Sequence, residues 1–189
     1  MLNIENRCCF TGHRPDKAPF PFDPQNEQYR KIVSRLVTAV AKMINEGCTV
    51  FYTGMARGFD ILAAEQVLAF KLKRPDIKLI AALPFDGVER SWKGEWHERF
   101  CSVIRECDEV VTVCDGYHNG AFQQRNEYMV DRCRHVIAFF DGSNGGTANT
   151  VKYANLHCRH VLNIYDTDPI ESERIDFSAY FRILPPEKE

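Results

Sequence analysis

The stretch "FFDGSNGGTANTVKYA", residues 139–154, places three glycines and a threonine between an apolar run and a segment with helical spacing. The glycines are Gly142, Gly145 and Gly146, and Thr147 follows them directly. Glycines free the backbone N–H groups to approach a ligand, and the first N–H groups of a helix have no partner inside the helix. This pattern predicts a strand, a loop that cradles an anion, and a helix at whose start Thr147 adds a hydroxyl.

The same order of strand, loop and helix recurs along the whole chain. Apolar runs without clean alternation, typical of strands buried on both faces, cover residues 8–11, 49–53, 78–83, 109–113, 135–140 and 160–165. Helical spacing covers residues 25–46, 59–73, 89–107, 121–133 and 147–158. The alternation predicts an α/β fold with a mostly parallel sheet of about six strands and helices on both faces. We expect residues 1–165 to form a single domain and residues 166–189 to form a C-terminal tail.

Composition and charge restrict the class of protein. The chain has 189 residues, of which 44% are hydrophobic, and a formal net charge of −2, which gives no electrostatic reason to expect nucleic acid as a partner. No apolar run approaches the roughly 20 residues of a membrane span, and the first residues lack the layout of a signal peptide. We therefore expect a cytoplasmic protein without a membrane partner.

The eight cysteines do not indicate a metal centre. No C-x-x-C occurs, and the "HCRH" cluster of His157, Cys158 and His160 places its ligands on different faces of a helix end. The sequence therefore predicts no metal site and no certain cofactor.

In a parallel sheet, the loops at the carboxyl ends of the strands line the ligand crevice. The first such loop is "CFTGHRP", residues 9–15. Gly12 allows a turn or a close approach to a ligand, and Thr11, His13 and Arg14 supply a hydroxyl, an imidazole and a guanidinium. This set suits contact with phosphate or carboxylate. The alternative is a tight turn before Pro15 with Arg14 in solvent.

The second loop is "YTGMARGFDILAAE", residues 52–65, which contains Thr53, Gly54, Gly58 and Asp60. Its glycines precede a helix whose exposed N–H groups can hold an anion. Two interpretations of Asp60 are open, a helix-start charge and a ligand contact.

Two further loops carry aromatic and charged residues. In "LPFDGVERSWKGEWHERF", residues 83–100, Trp92 and Trp96 are four apart and are expected to share a helix face. Core packing is the preferred interpretation, and stacking on a base is the alternative. In residues 116–133, Arg125, Asn126 and Glu127 lie on a predicted helix, and the Arg125–Asn126 pair reaches a ligand or faces solvent.

Two nucleotide-binding motifs are absent from the sequence. No Gly-Lys-Thr or Gly-Lys-Ser follows the 142–147 glycines, so ATP hydrolysis by a P-loop is not supported. Only Gly12 follows the first strand, where a dinucleotide dehydrogenase carries G-x-G-x-x-G.

The stretches "FTGHRP", "TGMARGFDILAAE", "RNEYMVDRC" and "GSNGGTANTVKYA", in this order, resemble the SLOG superfamily and most closely its YpsA branch. This superfamily contains DprA DNA-processing proteins, LOG phosphoribohydrolases and nucleotide sensors. The resemblance covers most of residues 7–165 and implies a Rossmann-like three-layer fold. It also implies a nucleotide or nucleotide-derived ligand, with its phosphate on residues 145–147 and further contacts from the loops described above.

The resemblance leaves catalysis open. In LOG enzymes a glutamate after the glycine loop works with an upstream arginine to cleave an N-glycosidic bond, and here Thr150 stands at the position of that glutamate. Arg125 matches the arginine, and Glu127, with or without Asp141, is the candidate for the missing carboxylate.

The resemblance favours a nucleotide-binding or nucleotide-sensing protein. The alternatives are an N-glycosidic or phosphate hydrolase and a DprA-like protein that binds single-stranded DNA through a local basic surface. Homo-oligomers are common for such domains, but no sequence feature sets their number.

Overall fold

The computed structural model describes residues 4–165, in which six strands alternate with five helices. The elements are β1 Arg7–Gly12, α1 Glu27–Asn45, β2 Val50–Thr53, α2 Phe59–Lys71, β3 Lys78–Leu83, α3 Glu95–Glu106, β4 Glu109–Thr112, α4 Ala121–Asp131, β5 His135–Phe139, α5 Gly146–Leu156 and β6 His160–Asn163. The predicted C-terminal tail, residues 166–189, lies outside the described residues.

The six strands form one sheet in the order β4-β3-β2-β1-β5-β6, and every neighbouring pair is parallel. The predicted α/β fold, Rossmann-like with a mostly parallel six-stranded sheet, is confirmed. From β4 at one edge the chain returns to place β5 beside β1, in a register that pairs Gly12 with Phe139. A crevice at the carboxyl ends of the strands is expected where the strand order reverses in this way.

Alternate residues of each strand face the two helical layers. Cys8 and Phe10 of β1 belong to a core shared with α1, α2 and α3, whereas Cys9 belongs to a smaller core shared with α4 and α5. The predicted apolar stripe of α1 is buried throughout, at Ile32, Leu36, Ala39, Val40 and Met43. None of the helices in residues 4–165 combines the length and the apolar character needed to cross a bilayer.

The prediction that all six strands are buried on both faces is wrong for the two edge strands. Glu109, Val110 and Thr112 of β4 are exposed, and so is His160 at the start of β6. An edge strand has a neighbour on one side only, so its side chains are covered less completely.

The predicted helix over residues 89–107 begins later than expected, at Glu95. Turns occupy the preceding residues, in which Trp92 N–H donates to the Glu89 carbonyl oxygen at 2.7 Å and Gly94 has a φ of 65°. A residue with this φ cannot continue a right-handed helix. The expectation that Trp92 and Trp96 share a helix face is therefore wrong, because Trp92 precedes the helix.

Candidate functional site

A cavity of about 270 Å³ opens at the carboxyl ends of β1 and β5, and we call it the polar chamber. Ten of the residues predicted from sequence as ligand contacts line it: Thr11, Gly12, His13, Arg14, Asp60, Arg125, Asn126, Gly145, Gly146 and Thr147. Five further lining residues were not predicted: Lys17, Ala56, Phe122, Ser143 and Asn144. Lys17 lies in the same irregular segment as Arg14. Its positive charge is the feature of the sequence from which its place in the chamber could have been predicted.

The loop after β1 brings two cations to the chamber. Arg14 is half-buried, with its Cζ 5.0 Å from the centre of the Phe122 ring, and Lys17 is exposed. Within residues 4–165, neither side chain has a carboxylate partner within 4.0 Å. Both charges are therefore available to an anion in the chamber.

Gly12 serves packing as well as the chamber. A Cβ at this position would lie 2.5 Å from Cγ and 2.7 Å from Cβ of Phe59, the first residue of α2. The end of β1 therefore packs directly on the start of α2. The glycine is required by this contact, a reason that its own loop sequence did not disclose.

His13 holds the β1 loop against the start of the 142–146 glycines. Its side chain is 6% exposed, its Nε2 lies 3.0 Å from Oδ1 of Asp141, and its ring meets Phe139 edge to face. Asp141 also accepts a hydrogen bond from the Ser143 N–H at 2.9 Å. Hydrogen bonding by Ser143, with a smaller contribution from His13, holds the pKa of Asp141 below its ordinary value although burial opposes this shift.

The loop between β5 and α5 presents bare backbone to the chamber. A Cβ at Gly142, Gly145 or Gly146 would meet no atom within 4 Å. Gly145 is the N-cap of α5 and provides no side-chain hydrogen bond to the first turn. The first N–H groups of α5 therefore lack a side-chain cap at the place where Gly146 and Thr147 line the chamber.

The start of α2 is partly covered by the β1 loop. The N–H of Phe59 donates to the carbonyl oxygen of His13 at 3.2 Å. Gly58, at a φ of 93°, is so close to the β1 loop that a Cβ would lie 2.7 Å from the same carbonyl oxygen. Thr53 is fully buried and donates its hydroxyl to the Asp60 carbonyl oxygen at 2.9 Å. Gly58 and Thr53 thus shape the loop and do not line the chamber.

Arg125 and Asp60 are both buried, and both meet Gly54. Arg125 donates from its guanidinium to the Gly54 carbonyl oxygen, and a Cβ on Gly54 would collide with that guanidinium and lie 2.7 Å from Oδ2 of Asp60. Burial raises the pKa of Asp60, although Arg125, the Ala56 N–H and Arg14 act in the opposite direction. Burial likewise lowers the pKa of Arg125, with Asp60 opposing and Arg14 adding to the decrease.

A line of hydrogen bonds connects Arg125 to the open glycine loop. Arg125 Nε donates to Asn126 Oδ1 at 2.8 Å, and Asn126 Nδ2 donates to Thr150 Oγ1 at 2.9 Å. Thr150 is 1% exposed and donates its hydroxyl to the Gly146 carbonyl oxygen at 2.8 Å. Thr150 is therefore a buried residue that joins α4 to the first residue of α5.

Glu127, the candidate carboxylate partner of Arg125, does not line the chamber. Its Oε1 accepts a hydrogen bond from Gln123 Nε2 at 2.8 Å, one turn earlier on α4. Residues two apart on a helix do not share a face, so a buried Arg125 leaves Glu127 on another side of α4. The structure thus gives Glu127 no place in this site.

A second cavity of about 210 Å³ adjoins the first, and we call it the aromatic chamber. Its aromatic wall consists of Phe85, Trp92, Tyr117 and Phe122, and Gly54 also borders it. Trp92 additionally packs against Phe100 in the core, with ring centres 5.3 Å apart. Trp92 thus packs in the core, as preferred, and also borders a cavity, while its stacking on a base stays a prediction.

The polar chamber has an excess of positively charged side chains. Three cations, Arg14, Lys17 and Arg125, line it together with a single carboxylate, that of Asp60. Within residues 4–165, no group of three or more His, Cys, Asp and Glu side chains is arranged to hold a metal ion. Backbone N–H groups at a helix start and guanidinium groups are the donors that proteins use for phosphate.

Comparison with known proteins places the chain in a family. The YpsA family, described as the YspA SLOG family, matches residues 8–175. The SPbeta prophage-derived protein YoqJ of Bacillus subtilis (strain 168) is 33% identical over an alignment of 146 residues, and the match covers 69% of this chain and 84% of YoqJ. A UPF0398 protein of Bacillus thuringiensis (strain Al Hakam) is 24% identical over 87% of this chain and 94% of its own length.

Two solved structures share the fold. One is DNA processing protein A from Helicobacter pylori, whose structure was solved to describe how it binds single-stranded DNA. It has a TM-score of 0.58 at 19% identity, and the match covers 85% of this chain and 65% of that chain. DprA from Streptococcus pneumoniae has a TM-score of 0.56 at 20% identity, over 85% of this chain and 50% of that chain. This chain thus spans between half and two thirds of the DprA chains. The family match and the fold agree: the chain belongs to the YpsA family of the SLOG superfamily.

Proposed function

We propose that this chain binds a nucleotide or nucleotide-derived ligand in the polar chamber, with a phosphate on the Gly145–Thr147 loop. The observation that carries the proposal is the excess of positive charge in the chamber, where Arg14, Lys17 and Arg125 face only Asp60. A phosphate supplies the missing negative charge and offers oxygens to several donors at once.

The open glycine loop supports the same placement. The uncapped first turn of α5 offers N–H groups and the positive end of the helix dipole, and a Cβ at Gly145 or Gly146 would meet no atom within 4 Å. A phosphate oxygen can therefore approach the backbone directly. The Thr147 hydroxyl lines the same space and adds a donor.

Equilibrium dialysis against a mixed panel of nucleotides, with both compartments measured by mass spectrometry, tests the proposal. We expect the protein to retain one or more intact species. In the Gly146→Val protein we expect at least tenfold weaker binding, because the new side chain occupies the phosphate position. The free energy of unfolding should change by no more than about 0.5 kcal/mol, since a Cβ at Gly146 meets no atom within 4 Å.

The matched control is Asn149→Val, which places the same side chain at an exposed position of α5 outside the chamber. Asn149→Val should bind as the unmodified protein does. Equal binding by the two valine variants, or no retained nucleotide at all, contradicts the proposal.

Hydrolysis of the ligand is a second candidate, because Asp60 offers a carboxyl group beside Arg125. Asp60 is 5% exposed, lines the chamber and has a raised pKa, which are properties of a group suited to donate a proton. Free base, ribose phosphate or inorganic phosphate in the dialysis experiment would favour turnover. In that case Asp60→Asn should stop product formation while the protein still retains the nucleotide.

Binding of single-stranded DNA is a third candidate, because DprA of Helicobacter pylori, which shares the fold, binds single-stranded DNA. Arg14 and Lys17 at the chamber mouth are the cations available for a phosphate backbone. A labelled oligonucleotide titrated at increasing salt distinguishes this candidate, since contacts to several phosphates weaken steeply with salt.

A further inference from the structure

We propose that the aromatic chamber holds the base of the nucleotide, which makes the ligand a nucleoside phosphate and not a sugar phosphate or a simple anion. This inference rests on the proposed function, because it needs the phosphate to lie on the Gly145–Thr147 loop.

The first argument is continuity between the two chambers. Arg14, Ala56, Phe122 and Arg125 line both. A ligand with its phosphate at the glycine loop therefore extends past Arg14 and Phe122 directly into the aromatic chamber. The volumes of about 270 and 210 Å³ together fall within the range of about 300–1,000 Å³ found for small-molecule sites.

The second argument is the shape and chemistry of the wall. Phe85 contacts Tyr117 and Phe122 edge to face, with ring centres 5.5 and 5.8 Å apart, so three rings surround one side of the chamber. Tyr117 is 74% exposed, which is unusual for a large aromatic side chain with neighbouring rings to pack on. Bases stack on such side chains, and the stacking is tolerant of which base is present.

The third argument is the charge of the side chains around the aromatic chamber, which determines what kind of aromatic ring can bind there. The guanidinium of Arg57 lies 5.6 Å from the centre of the Trp92 ring, and Arg14 lies over Phe122. The charged side chains that line the aromatic chamber are arginines, and no carboxylate is among the lining residues described. An aromatic cage of this kind does not suit a cation such as a methylated ammonium. It suits a neutral ring with acceptor atoms at its edge, as nucleobases have.

The chain contains two tryptophans, which provide a direct test. In a Trp96→Phe protein, Trp92 is the only tryptophan; in a Trp92→Phe protein, Trp96 is. Trp96 lies outside the aromatic chamber, against Arg99 and Phe22. We expect adenosine or guanosine monophosphate to quench the emission of Trp92 and to leave that of Trp96 unchanged. Ribose 5-phosphate, which has no base, should leave both unchanged.

Affinities provide the second measurement. Trp92→Leu should weaken the binding of the two monophosphates about tenfold and leave ribose 5-phosphate unaffected. Trp96→Leu, the matched control, should change neither affinity. If Trp92→Leu does not fold, the emission of the Trp96→Phe protein still decides the question.

Two results would overturn the inference, and they are distinguishable. If the monophosphates bind without quenching Trp92, and ribose 5-phosphate binds equally well, the base lies elsewhere while the proposed function stands. If neither the monophosphates nor ribose 5-phosphate binds, the proposed function fails and this inference fails with it.

Discussion

Two loops of this protein have the same sequence pattern, a strand followed by glycines and a helix, but their glycines have different physical causes. We call the loop after β2 the packed loop (residues 54–58). A Cβ added at Gly54 or Gly58 would lie within 3 Å of other protein atoms. In the loop after β5, which we call the open loop (residues 140–145), a Cβ at Gly142 or Gly145 meets no atom within 4 Å, and the same holds for Gly146 at the start of α5. In the packed loop neighbouring atoms exclude a side chain, whereas in the open loop glycine is favoured at Gly142 by its φ of 90° alone and the backbone stays accessible.

The difference teaches that glycines between a strand and a helix do not by themselves indicate a ligand. The helix after the packed loop has its first N–H paired with the His13 carbonyl oxygen. The helix after the open loop has no side-chain cap. The two loops therefore differ in whether the first N–H of the following helix already has a hydrogen-bond partner in the protein.

The largest effect is expected from a pair of matched substitutions, Gly54→Ala and Gly146→Ala. The first forces the buried guanidinium of Arg125 away from Gly54 and Asp60, and we expect a loss of about 3 kcal/mol or more in the free energy of unfolding. The second adds a methyl group in open space at the start of a helix, where alanine is no worse than glycine. Urea unfolding of both proteins measures the difference. Equal stabilities would remove the distinction between the loops.

A smaller effect is expected from Thr150→Val, which cuts the line of hydrogen bonds that runs from the packed loop to the start of α5. Valine keeps the shape of the buried side chain but leaves Asn126 Nδ2 without its acceptor, so we expect a cost of about 1–3 kcal/mol. The same change at Thr112, exposed on the edge strand β4, is the control and should cost little. If both substitutions change the free energy of unfolding by the same amount, the line of hydrogen bonds does not contribute to stability.

The smallest effect is a dependence on pH with opposite signs in the two regions. The raised pKa of Asp60, beside the packed loop, means that the native state keeps a proton that the unfolded chain has lost. The free energy of unfolding therefore falls as pH rises from 3.8 through that raised pKa. The lowered pKa of Asp141, in the open loop, stabilises the native state above 3.8, and this stabilisation is lost as pH falls through the lowered pKa.

Urea unfolding over a series of acidic pH values separates the two carboxyl groups. Asp60→Asn should remove the decrease in stability with rising pH, and Asp141→Asn should remove the increase. Each variant controls for the other. Identical pH profiles for the two variants would contradict these assignments.

The sequence predicted the strands and most helices because their apolar runs and stripes are local patterns. It also predicted which loops meet, since the carboxyl ends of parallel strands share one edge of the sheet. It did not predict why Gly12 is glycine, because the cause is Phe59, which lies in another element. The burial of Thr150 and the absence of Glu127 from the chamber depend on how α4 and α5 pack, which no local pattern records.

The central position of β1 has a consequence for how the protein is made. Residues 1–112 contain β1 to β4, four adjacent strands, but the partner of β1 on its other side is synthesised only with His135–Phe139. A nascent chain that ends before His135 thus contains the arginine of the β1 loop without the glycines opposite it. Both sides of the polar chamber are present only after synthesis has passed the start of α5.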